Sequence, residues 1–168
     1  MEAQRPRGRR RAGDCPWAGI LVPVMPLVVA MLLTTSPVHA GTARLTISST
    51  TVTFPSTDPD AVPSVAASEN PVSVQVRVSG NPGISQLTVI AGGDLMSGPD
   101  KIAIGKVTWT ATGNGFVSGT LSSSQSQLVG QWSGNVNQTG QLRFWLANSW
   151  SYAVGSYSQN LMYTLIAY

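Results

Sequence analysis

Four valines, Val72, Val74, Val76 and Val78, alternate with Ser73, Gln75, Arg77 and Ser79. Successive side chains of an extended chain point to opposite faces, so this period of two places the valines on one buried face and the polar groups on a wet one. A helix would scatter the same valines around its circumference. The last residues repeat the pattern: Leu161, Tyr163, Leu165 and Ala167 share one parity, and Met162, Thr164, Ile166 and Tyr168 the other. These are good strand formers, and they predict a closing strand with one face on a core. Half-buried strands need a second layer against them, which points to an all-β domain.

The chain after Gly41 is strands separated by Gly, Pro, Asn and Ser, with no run of helical period. Leu45 to Ile47 and Val52 to Phe54 read as one interrupted strand. Residues 55–71 are Pro- and Ser-rich and too polar for a central strand. Asn81-Pro82-Gly83 turns into a strand over Leu87, Val89 and Ala91. Ile102 and Ile104 share one parity, and Val107, Trp109 and Ala111 the other; Gly105 at the switch predicts a bulge or bend. Gly113-Asn114-Gly115 is a hairpin signal leading into a strand over residues 116–121. Residues 128–132 make a short strand, residues 133–140 a turn-rich link, and Leu142, Phe144 and Leu146 a further strand. About eight short strands, spaced by roughly 8 to 15 residues, predict a sandwich or small barrel.

The first forty residues differ in kind. Arg5, Arg7, Arg9, Arg10 and Arg11 precede an apolar run over residues 20–33, and a polar segment ends in Val38-His39-Ala40. This order predicts a secretory signal peptide cleaved between Ala40 and Gly41. The apolar run is interrupted by Pro23 and Pro26 and is shorter than the roughly twenty residues a spanning helix needs. Of the ten Lys and Arg residues, five lie in this leader, with two of the seven acids. The remaining domain is charge-neutral, so the pI of 9.4 carries no nucleic-acid inference. The single cysteine, Cys15, also lies in the leader, leaving no disulfide for the single domain of residues 41–168.

His39, the only histidine, goes with the leader as well. Without His or Cys, the domain lacks the groups for triad catalysis, thiol nucleophiles and ordinary zinc sites. Five carboxylates remain, Asp58, Asp60, Glu69, Asp94 and Asp100, all in turn-like segments. A glycosidase needs two facing each other, and a calcium site needs several on one loop; turn solvation is the simpler reading of both sets. No catalytic, cofactor or metal residue is therefore assigned. Asn137-Gln138-Thr139 is an N-glycosylation sequon. Parity puts Trp109 and Phe144 in the core. Trp145, Trp150 and Tyr152 remain as aromatic platforms suited to stacking on sugar rings.

Gly155, Tyr157, Tyr163, Thr164 and Leu165 give the ending the form Gly-Ser-Tyr followed by a strand finishing in Tyr-Thr-Leu. With the leader, the Pro-rich link and the valine strand, the chain resembles the pilin-like sandwiches grouped with spore coat protein U, loosely across residues 45–168. The resemblance implies an immunoglobulin-like, pilin-like antiparallel β-sandwich of about seven to eight strands in an exported coat or surface protein. It also implies assembly with itself or related surface subunits by strand exchange, for which Leu45, Ile47, Val52 and Phe54 form the candidate strand. Many such domains carry a cysteine pair, absent here, and pilus subunits carry a donor segment ahead of the domain. After Gly41 only residues 43–54 would serve, and pairing within the chain is favoured because no separate extension precedes them. The expectation is a secreted or extracytoplasmic, non-enzymatic structural or assembly protein without cofactor, nucleic-acid partner or membrane span. The alternative is a secreted carbohydrate-binding module that grips polysaccharide through Trp145, Trp150 and Tyr152.

Overall fold

The computed structural model describes residues 41–168; the expected leader, with the Ala40 side of its cleavage site, lies outside the described residues. Twelve strands follow one another: β1 (Ala43–Ile47), β2 (Thr51–Phe54), β3 (Ser64–Ala66), β4 (Val72–Val78), β5 (Ile84–Ala91) and β6 (Leu95–Ser97), then β7 (Asp100–Ile102), β8 (Val107–Thr112), β9 (Gly119–Thr120), β10 (Gln127–Ser133), β11 (Val136–Ala147) and β12 (Tyr157–Ala167). They form two antiparallel sheets of six strands. One has the order β1-β4-β11-β8-β9 with β3 beside β11; the other has β10-β5-β12-β6-β7 with β2 beside β12. This is an all-β sandwich. It has more and shorter strands than the alternation suggests, because the ends of long strands are met by separate small pieces.

The core is what the parity predicts. Val72, Val74, Val76 and Val78 are buried on β4, as are Leu142, Phe144 and Leu146 on β11, facing Leu87, Val89 and Ala91 of β5. Burying side chains of this size stabilises by about 1.5 to 3 kcal/mol each, which is how a domain without a disulfide holds together. Trp109 and Phe144 meet at 6.4 Å between ring centroids, and the Trp109 indole N–H donates to the Val117 carbonyl at 2.8 Å.

Five local expectations are corrected. Residues 43–54 are two strands in different sheets: β1 pairs with β4, setting Leu45 against Val76, and β2 pairs with β12, setting Phe54 against Tyr157. Ser49 makes the switch; its hydroxyl donates to the Thr51 carbonyl and accepts from the Thr51 N–H. The parity change near Gly105 is a 3₁₀ turn over Ile104–Lys106 rather than a bulge. Of the strand expected over residues 116–121 only β9 pairs with β8, since Phe116 turns aside to pack edge-on against Trp132 at 5.0 Å.

The turn-rich link at 133–140 is mostly strand, with β11 beginning at Val136. Gly140 suggested a turn, yet it is buried in mid-strand, where an added Cβ would lie 2.6 Å from the Phe116 ring. Here glycine makes room for a neighbour rather than a bend. The polar connection 55–71 likewise contains β3, a three-residue strand that buries Val65.

Candidate functional site

A sheet edge offers unpaired N–H and C=O groups to any extended chain, and most proteins shield it. Most edges here are shielded. The outer side of β2 is closed by Ser68 N–H donating to the Thr53 carbonyl and by the Glu69 carboxylate accepting from Thr53 N–H, both at 2.8 Å. The outer side of β10 is met by the segment before β9: Val117 N–H donates to Val129, and Gln131 N–H to the Gly115 carbonyl. Strands β3, β7 and β9 are only two or three residues long. On β1, Arg44 stands directly opposite Arg77, a like-charge pair that discourages a further strand.

Strand β12 differs. Strand β2 accompanies it only from Tyr157 to Asn160, and the last bond on that side runs from Leu161 N–H to the Thr50 carbonyl at 2.7 Å. On the other side Ile84 and Tyr168 exchange both backbone bonds, and Gly92 N–H donates to the Asn160 carbonyl. Bonding direction alternates along an antiparallel strand. Even-numbered residues therefore bond to β5, while the N–H and C=O groups of Tyr163, Leu165 and Ala167 aim at the side where β2 has ended. No strand pairs with them there among the described residues.

The side chains behind this edge are incompletely covered. Tyr163 and Leu165 are half-buried against the core, as are Leu45 and Ile47 of β1 in the facing sheet. The Tyr163 hydroxyl is buried without a hydrogen-bond partner, and burial raises its pKa well above the usual tyrosine range. Ser85, whose register partner is Ala167, is fully buried, and its hydroxyl also lacks a partner.

The residues singled out from the sequence fall in several places. Gly41 is exposed, with its backbone tight against Ser79 and Gly80. In the candidate assembly strand, Val52 and Phe54 are 1% and 0% exposed, packed within their own domain. Trp150 and Tyr152 come together at one end of the sandwich, on a cleft of about 250 Å³ shared with Phe54, Pro55, Asp58 and Asn148. Trp150 is 69% exposed, and its indole N–H donates to Asp60 at 3.1 Å. Trp145 is apart from them, half-buried on β11 between Ala66 and Thr108. Asn137 is exposed and accepts from the Arg77 guanidinium at 3.0 Å.

Three of the carboxylates serve local structure. Asp58 accepts from Asp60 N–H at 2.9 Å, Asp94 from Ile104 N–H at 3.0 Å, and Glu69 caps β2. Among the described residues no three of His, Cys, Asp and Glu gather as metal ligands, and no helix is long and apolar enough to cross a membrane. Residues 43–54, the candidate assembly strand, pair within the domain as β1 and β2, and among the described residues outward backbone groups without a strand partner lie on β12. The signal that would have found this edge is the absence of charge and proline from residues 161–168. Comparison of the chain with protein-family models, curated proteins and solved structures gives no match.

Proposed function

We propose that the chain is an exported, non-enzymatic structural protein of the cell surface or coat, assembling by strand pairing. The observation that carries this reading is the free edge of β12, with three N–H and three C=O groups aimed outward from an uncharged strand. An extended chain laid there would gain a backbone ladder, and its side chains would cover the half-buried Tyr163 and Leu165. The leader pattern, the lack of His and Cys after residue 40, and the resemblance to spore coat protein U sandwiches support the same reading. Secretion of the tagged full-length chain, intact mass of the exported product and its sedimentation over a range of concentrations test it. A product beginning at Gly41 that forms salt-insensitive oligomers is expected; a cytoplasmic monomer that gains no partner overturns the proposal.

The cleft beside Trp150 supports a second reading, binding of a neutral polysaccharide. An exposed indole next to the Asp58 carboxylate offers a stacking face and a hydroxyl acceptor together. Retardation in polysaccharide gels that disappears in Trp150→Ala, with oligomer size unchanged, would favour it.

A further inference from the structure

We propose that the occupant of the free edge is a second copy of this chain, its β12 running antiparallel to the first about a two-fold axis at Leu165. The inference rests on the assembly reading above and names its partner and register. In an antiparallel ladder, two facing residues that both aim at each other exchange two hydrogen bonds. With Leu165 opposite Leu165 of the partner subunit, Tyr163 faces Ala167 of the partner subunit and Ala167 faces Tyr163 of the partner subunit. All of the outward N–H and C=O groups of Tyr163, Leu165 and Ala167 are then used. Centring the axis on Thr164 instead would set Ala167 against Leu161 of the partner subunit, whose N–H is already given to Thr50 and whose flank is occupied by β2. The Leu165 register uses every outward N–H and C=O of Tyr163, Leu165 and Ala167 without displacing a strand.

Charge and side-chain chemistry favour a like partner. Residues 161–168 contain no charged side chain, so two copies abut without repulsion, whereas pairing through β1 would bring Arg44 and Arg77 together with their copies. On the outer face Met162 would stand opposite Tyr168 of the partner subunit, a thioether against an aromatic ring, and Thr164 opposite Ile166 of the partner subunit. Met162, Ile166 and Tyr168 are 63%, 49% and 63% exposed in the single chain, and this pairing covers part of that surface. A closed two-fold contact of this kind joins β10-β5-β12 of each copy into one continuous sheet.

The test uses protein exported from the full chain, with Cys15→Ser as background. Thr164 and Ile166 of the partner subunit form a non-hydrogen-bonded pair, about 4.5 Å between Cα atoms, within disulfide reach. Mixing Thr164→Cys with Ile166→Cys should give a disulfide-linked dimer at least about tenfold faster than either variant alone. Equal cross-linking by the single variants, or none from the mixture, overturns the register. Ala167→Pro removes an N–H aimed at the free edge and leaves the β5 ladder intact, so the dimer should weaken at least about tenfold at unchanged melting temperature. Ile166→Pro, which cuts the β5 ladder, should lower the melting temperature instead. Oligomers that survive Ala167→Pro overturn this inference while leaving the assembly reading to another surface. A wild-type chain that stays monomeric and binds no other subunit overturns both. A different protein held at β12 and released by Ala167→Pro overturns only the identity of the partner.

Discussion

The side-chain amide of Asn70 takes the place of a neighbouring strand for Phe144: it donates to the Phe144 carbonyl at 2.7 Å and accepts from the Phe144 N–H at 2.8 Å. On that side of β11, strand β4 ends at Leu142 and β3 begins at Trp145, so the Phe144 backbone would otherwise lack part of its ladder. A buried N–H left without an acceptor costs about 1 to 3 kcal/mol. Asn70→Ala is expected to lower stability by that amount, seen as a reduced urea midpoint at unchanged slope.

Gly140 and Phe116 are expected to behave as a coupled pair. Adding a methyl at Gly140 brings it to 2.6 Å from both the Phe116 ring and the Thr112 carbonyl. Overpacking of this kind costs about 1 to 3 kcal/mol. Gly140→Ala should therefore destabilise, and Phe116→Leu in the same chain should recover part of the loss, leaving the part due to Thr112. A double-mutant cycle in urea measures the coupling.

Tyr163 is expected to contribute to the loss of stability at alkaline pH. Its hydroxyl is buried and its pKa is raised by burial, whereas the unfolded chain titrates at about 10. A group whose folded pKa lies above its unfolded one contributes its full stability below the unfolded value and loses it as pH rises further. Stability should decline from about pH 10 upward, and less steeply in Tyr163→Phe. Because the hydroxyl has no partner, Tyr163→Phe should also be neutral or stabilising at pH 7. Thermal melts from pH 7 to 11 check both expectations.

The buried residues of β2 should matter more than those of β1. Phe54→Ala removes a fully buried ring and is expected to cost about 3 to 5 kcal/mol, whereas Leu45→Ala, at a half-buried position, should cost less. Loss of Phe54 also unsettles the cleft it lines, so Trp150 fluorescence should shift in that variant alone.

What the sequence determined by itself is what its local periods encode. The alternation of Val72 to Val78 and of Leu142, Phe144 and Leu146 specifies extended chain and says which side chains are buried, because side-chain direction in a strand depends only on position along it. The absence of His and Cys after residue 40 limits the chemistry in the same direct way. Pairing belongs to tertiary structure, since which strands lie side by side depends on contacts between residues far apart in the chain. So it was the fold that divided residues 43–54 between two sheets and turned Gly140 from an apparent bend into a recess for Phe116. It also opened β12: beyond the Thr50 carbonyl the first strands turn to the other sheet, and from Tyr163 onward no strand among the described residues pairs with that side of β12.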